Sequence, residues 1–200
     1  MKNLSFLLVL YISSITLLSA QTETTSLSAH PKGYFNLTQL SFLIAEEDQY
    51  SPVKSTMAPS LVNINGYRMN EHVSLGIGAG VTALSYMIFP VFADFRITFL
   101  KGNLSPVLAL KGGYAFANNN KKLFNEYNGD FKNTGGGMFH PEVGLKVVMT
   151  ENLEFLLTVG YWYQHVKSEI KNGDYYYYGG THNRVSDLNR LSFSIGFLFK

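Results

Sequence analysis

The sequence predicts an all-β fold, an eight-stranded antiparallel up-and-down transmembrane β-barrel that follows an N-terminal signal peptide. Three observations carry this expectation. Long stretches alternate apolar and polar residues with period two, the connections between them alternate short and long, and nothing beyond the first twenty residues is apolar enough for a membrane helix. The composition agrees: 18 Gly, 15 Phe and 13 Tyr suit pleated strands and tight turns, and only 15% of residues are charged.

The first segment, "MKNLSFLLVLYISSITLLSA", has Lys2 near its start, an apolar run from Phe6 to Leu18 and small residues ahead of a cut after Ala20. That is the layout of a secretory signal peptide, residues 1–20. A short membrane anchor is the alternative, which the brief apolar run and the Ser19-Ala20 end disfavour. Residues 21–32 are rich in Ser and Thr without periodicity and read as a flexible periplasmic leader. Residues 33–200 then form the barrel.

Within it the strands are expected near 33–45, 56–68, 72–84, 88–100, 104–116, 136–149, 152–165 and 187–200. The third is the cleanest, with Val73, Leu75, Ile77, Ala79, Val81 and Ala83 against Ser74, Gly76, Gly78, Gly80 and Thr82. The fourth, "FPVFADFRITF", sets Phe95 and Ile97 against Asp94 and Arg96. The fifth is noisier, with Leu108, Leu110, Tyr114 and Phe116 opposite Lys111 and Gly113. The sixth opposes Phe139, Val143, Leu145 and Val147 to His140, Glu142, Gly144 and Lys146. The seventh opposes Leu153 to Tyr163 against Glu154, Thr158 and Trp162, and the last opposes Leu191, Phe193, Ile195, Phe197 and Phe199 to Arg190, Ser192 and Ser194. The first two are weaker. "GYFNLTQLSFLIA" is apolar on both faces in places, and "PSLVNINGYR" alternates Val62 and Ile64 with Asn63 and Asn65.

The connections "MNE", "KGN" and "TEN" are short, and they alternate with 46–54, 85–87, 117–136 and 166–186. In a meander, alternate connections lie at the same end. One end therefore carries tight turns and the other mostly longer, tyrosine-rich loops, as in barrels with short periplasmic turns and long external loops.

Which face meets lipid follows from bulk. The polar face is mostly Gly, Ser and Thr with few long charged chains, which a narrow lumen tolerates. A face turned to water would be dense in charge, and the lumen could not hold the Phe, Leu, Ile and Val of the other face. Apolar residues should point to lipid and polar ones inward. A soluble lipocalin-like ligand-binding barrel would demand the reverse, with Asp94 and Arg96 in water and Phe95 and Ile97 inside.

The turn at 101–103 sets Asp94 beside Lys111 across the fourth and fifth strands, with Arg96 the next inward position. Enclosed charges must pair, because an unpaired buried ion costs several kcal/mol. Glu142 and Lys146 extend this structural ion-pair network, and Glu154 and Arg190 are further candidates. The network reads as a plug, with a gate or proton path as the alternative.

The stretches "NGYRMNEHVSLGIGAG", "FPVFADFRITF", "SPVLALKGGYA", "GGGMFHPEVGLK" and "VGYWYQ" together resemble the small outer-membrane β-barrel proteins of Gram-negative bacteria, the OmpA/OmpX-like group. The resemblance covers about residues 33–200. It implies an eight-stranded barrel in the cell outer membrane, in contact with outer-membrane lipid and inserted by the outer-membrane assembly machinery. That machinery reads a C-terminal strand ending in an aromatic; here Phe199 is followed by Lys200. The group carries over no catalytic residues.

Other chemistries find little footing. The net charge of +2 makes no case for nucleic acid, and there is no cysteine. His30, His72, His140, His165 and His182 lack ligand spacing, so neither metal nor cofactor is expected. "GIGAG" sits inside a strand and lacks phosphate-loop spacing. A lipid-modifying enzyme, acting on lipid A or phospholipid as hydrolase or acyltransferase, would need a nucleophile and base. His165 with Ser168 and Glu169 is the arrangement to consider. The expected function is a non-enzymatic outer-membrane protein with a polar-plugged lumen. Any external ligand would meet the loops 117–136 and 166–186, including "YYYYGG".

Overall fold

The structure, a computed structural model, describes residues 32–45, 56–84, 86–117, 130–171 and 182–200. The signal peptide and most of the leader lie outside them, as do 46–55, 118–129 and 172–181. The strands are β1 (Gly33–Ile44), β2 (Met57–Arg68), β3 (Val73–Ala83), β4 (Met87–Thr98), β5 (Leu104–Ala117), β6 (Asp130–Thr134), β7 (Gly136–Thr150), β8 (Leu153–Lys171) and β9 (His182–Phe199).

Neighbours in the chain pair antiparallel, and β9 returns to β1 through partners from Asn36↔Phe199 to Ile44↔Leu191. Both β6 and β7 run along β8, broken at Gly135, so they count as one line and eight strands close the barrel. Closure gives every interior strand two partners and leaves no open edge along the wall.

Short polar turns define one end. Asn70 Oδ1 accepts from the backbone N–H of His72 (2.9 Å) and Val73 (2.8 Å), an Asx turn that joins β2 to β3. Ser105 Oγ donates to the carbonyls of Leu100 (2.8 Å) and Gly102 (3.0 Å) in the β4–β5 turn. The β7–β8 turn follows a register shift between Val148 and Thr150. At the other end β8 and β9 continue past the barrel, pairing as far as Ile170↔His182, with β6 on the outer side of β8. Residues 130–134, 166–171 and 182–186, read from the sequence as loop, are therefore ladder. Three strands there satisfy one another's backbone groups.

The faces divide as the fourth strand demanded: Asp94 and Arg96 are buried, while Phe89 and Val91 are exposed on the wall and Phe95 and Ile97 partly so. The soluble-barrel orientation is thereby excluded. The lumen is not wholly polar, however. The inward residues of β1 and β2 include Phe35, Leu37, Leu43, Val62 and Ile64, which pack with Phe92, Leu156 and Leu198 into an internal apolar cluster. Asn63 and Asn65, the polar partners of that alternation, face outward. The register Val62↔Gly80 and Ile64↔Gly78 sets these side chains over the glycines of β3.

Those glycines make the lumen wide enough for rings. A Cβ on Gly66 would stand 2.5 Å from Phe35 Cζ and 2.5 Å from the Leu75 carbonyl oxygen. Gly112, on the outer wall, has nothing within 4 Å of such an atom. We expect Gly66→Val to destabilise the barrel by about 1–3 kcal/mol, an overpacking cost, and Gly112→Ala to stay within about 0.5 kcal/mol. Urea unfolding in lipid vesicles measures both; equal midpoints for the two variants would refute the close approach.

Candidate functional site: the charged lumen and the outer rim

Period two delivers charged or titratable side chains to the lumen from six of the strands. Asp94 and Arg96 come from β4, Lys111 from β5, His140, Glu142 and Lys146 from β7, Glu154 from β8, and Arg190 from β9; Arg68 comes from the end of β2. All are almost fully buried.

They form three groups. In the first, Arg96 grips the carboxylate two residues before it, Nε to Asp94 Oδ2 at 3.2 Å and Nη2 to Oδ1 at 3.1 Å. In the second, Lys111 Nζ donates to Glu142 Oε1 and to Gln39 Oε1, both at 2.8 Å. Gln39 Nε2 donates in turn to Glu142 Oε1 at 2.9 Å. His140 Nε2 lies 2.7 Å from Ser192 Oγ and 3.2 Å from Glu142 Oε1. Lys111 Nζ also stands 6.0 Å from the centroid of the Phe92 ring.

The third group sits toward the short-turn end, around Glu154. Arg68 meets it as a fork, Nη1 to Oε1 at 3.1 Å and Nη2 to Oε2 at 2.8 Å. Lys200 Nζ lies 2.8 Å from Oε1, and Lys146 Nζ lies 3.8 Å from Oε2. One carboxylate is thus shared by three cations.

The residues singled out in the sequence all reach the lumen, but they do not join as one chain of charges. Asp94 is the register partner of Lys111, yet its carboxylate is held by Arg96, and the Lys111 amine crosses to Glu142. A lysine stem is long enough to bypass its cross-strand neighbour, which register arithmetic does not capture. Arg190 stands apart: its Nε and Nη1 have no hydrogen-bond partner, and neither amide atom of Gln164 has one. Sequence reasoning passed over Gln39, Arg68 and the inward reach of Lys200. Arg68 was legible as an inward position two residues from Gly66; Gln39 was masked by a strand apolar on both faces.

At the outer rim, beyond the last pair that β9 makes with β1, His165 Nδ1 lies 2.8 Å from Asp187 Oδ1. The Tyr163 hydroxyl donates to the same oxygen at 3.0 Å. The bonds from His165 and then Tyr163 hold the Asp187 carboxyl below the usual carboxylate range. The side chains of Ser168 and Glu169 lie outside the described residues, and their backbones pair with Arg184 and Asn183. Among the described residues, no group of three His, Cys, Asp or Glu side chains is arranged to hold a metal ion.

A closed eight-stranded wall, apolar outside and ionic within, has the architecture of the small outer-membrane β-barrels. Solved structures of such proteins superpose on it. OprG from Pseudomonas aeruginosa matches with a TM-score of 0.60 at 14% identity, covering 86% of this chain and 97% of that one. Neisserial surface protein A matches at 0.55 and 14% identity, over 84% of this chain and 97% of the other. The N-terminal β-barrel domain of Pseudomonas aeruginosa OprF matches at 0.53 and 14%, over 84% and 98%. At this identity the likeness establishes the fold. No family model and no curated protein matches the sequence.

Two measurements follow from the charges. Glu154→Gln removes the anion that three cations share and is expected to destabilise by about 3–5 kcal/mol, as for a broken buried pair. Glu71→Gln, which weakens an exposed ion pair with Lys101, should change stability by less than about 1 kcal/mol. Urea midpoints in vesicles decide between them. Separately, the folded-state depression at Asp187 means that its pairing is complete above the ordinary carboxylate range and is lost as pH falls through the lower folded value. The side-chain ¹³C shift of Asp187 should titrate at lower pH in the folded protein than in the urea-unfolded chain; coincident curves would contradict the rim geometry.

Proposed function

We infer that this chain is an integral outer-membrane protein whose barrel is a closed anchor and whose role is structural and surface-interactive, without enzymatic activity. The observation that carries the reading is the polarity of the wall. Ile77, Val143, Leu157, Leu191 and Phe193 stand exposed on a sheet whose charges are turned inward. In water a continuous surface of that kind drives association; in a bilayer it is the stable arrangement. Exposed aromatics near the short-turn end (Tyr34, Tyr67, Phe99, Phe199) and toward the outer end (Phe89, Phe116, Tyr161) fit the two interfacial girdles.

The ion groups and the apolar cluster are both buried inside the barrel, which supports a plug rather than a conduit. A leader of the signal-peptide type at 1–20 would deliver the chain across the inner membrane, and the alternating aromatics of β9 suit recognition by the outer-membrane assembly machinery. Contact with any external ligand falls to 117–136 and 166–186, carried on the extended β6, β8 and β9. A lipid-modifying enzyme is the second reading, favoured by the single His165–Asp187 pair at the rim. Mass spectrometry of lipid A with and without the protein separates the two.

The topology is tested by labelling. The chain should fractionate with the outer membrane and migrate differently on gels before and after heating. Tyr177→Cys should react with a membrane-impermeant maleimide on whole cells, and Glu151→Cys only after permeabilisation. Recovery in the soluble periplasm, or the reverse labelling, would overturn the reading.

A further inference from the structure

Among the described residues, the outward positions of the wall between the turns and the outer rim are apolar or aromatic side chains, Pro, Ala or Gly, with one exception. Asn36 and Thr38 on β1 and Asn63 and Asn65 on β2 form a contiguous polar island that runs from just inside the Tyr34–Tyr67 pair to the middle of their strands. They are direct cross-strand partners, Asn36↔Asn65 and Thr38↔Asn63. The apolar alternates of these strands, Leu37 and Ile64, are buried inside. Here alone the polarity of the wall is inverted: apolar residues face the lumen and amides face out.

The island is knit together. Asn36 Nδ2 donates to Asn63 Oδ1 (3.0 Å) and Asn65 Oδ1 (2.8 Å), and Asn63 Nδ2 donates to Asn36 Oδ1 (3.1 Å) and Thr38 Oγ1 (3.0 Å). Asn65 Nδ2 donates to Asn63 Oδ1 at 2.9 Å, and the Tyr34 hydroxyl donates to Asn65. An amide has two N–H donors and two acceptor lone pairs. Bonds within the island therefore leave its amides and threonine one N–H of Asn65, the hydroxyl hydrogen of Thr38 and one acceptor site each on Asn36 and Thr38. Acyl chains offer these groups nothing, and polar groups left unpaired in hydrocarbon are costly.

We propose that the outer face of β1 and β2 is a docking surface for a second copy of this chain, with the two amide islands bonded to each other across a two-fold axis. The occupant follows from the chemistry. The island is uncharged, so it selects neither an ionic headgroup nor a charged partner. It presents donors and acceptors together, so the same patch turned through a two-fold axis complements it, as an isologous interface requires. Ile77 beside it, 72% exposed, and Phe197 on the β9 side provide the apolar surround that would exclude lipid. Hydrogen-bonding side chains are a known source of association between membrane segments.

The inference rests on the lipid-facing reading of the wall, and its test keeps the two apart. Because the chain has no cysteine, Leu61→Cys, next to Asn63 on the outer face, reports proximity of two copies by disulfide formation. Val143→Cys on the far wall is the control. The purified full chain is reconstituted in phosphatidylcholine vesicles and oxidised at increasing lipid dilution. Leu61→Cys should give covalent dimer where Val143→Cys does not, and adding Asn63→Leu with Asn65→Leu should lower the yield about tenfold, the effect of losing roughly one membrane hydrogen-bond pair. Both variants must keep heat-modifiable migration, which shows that the barrel is folded. A folded, inserted barrel that cross-links equally at both sites, or whose yield ignores the amides, overturns the proposal. So does an adduct of other mass in native membranes with no dimer in vesicles. A chain that never inserts fails the membrane reading instead.

Discussion

The pairing of the first strand with the last governs everything else in this molecule. A sheet of eight strands left open would present two rows of backbone N–H and C=O groups to whatever surrounds it. In hydrocarbon those rows have no partners. The ladder from Asn36↔Phe199 to Ile44↔Leu191 removes them, and in doing so creates an inside and an outside. The inside is narrow, so what it can hold is limited to small residues and a few long chains that satisfy one another.

That limit explains the internal arrangement. Among the described residues, nine charged or titratable side chains from six strands are buried in the lumen, Lys200 reaches in beside them, and cations outnumber carboxylates. Sharing resolves the imbalance in part: Glu154 serves Arg68, Lys146 and Lys200, and Glu142 serves Lys111 with Gln39 and His140 alongside. The glycines of β2 and β3 admit Phe35 and Phe92, so rings share the lumen with the ions. Outside the lumen lie the surfaces open to other contacts.

Two such surfaces differ in kind. The extended β8 and β9 with β6 continue the ladder past the last pair that β9 makes with β1. The amide island of β1 and β2 stands within the wall, where polarity has to be matched by protein. The same rule that closes the barrel, that no polar group remains unpaired in lipid, singles out this island as the part of the exterior suited to another chain.

Alternation and loop asymmetry in the sequence by themselves determined the fold class, the strand count and the inward direction of Asp94, Arg96, Lys111, Glu142 and Lys146. Period two admits only two faces, and a narrow lumen cannot take the bulky one. The register across the fourth and fifth strands was legible too, because a short turn leaves it no freedom. Three matters only the tertiary structure decided. The partner of each charge depends on side chains long enough to reach past their register neighbours, so Lys111 finds Glu142 rather than Asp94. The length of β8 and β9 depends on mutual pairing outside the membrane, which leaves no hydrophobic period to read. The facing of β1 and β2 depends on which residues fit over the glycines of β3. With Val62 and Ile64 drawn inward to fill that space, Asn63 and Asn65 must face out.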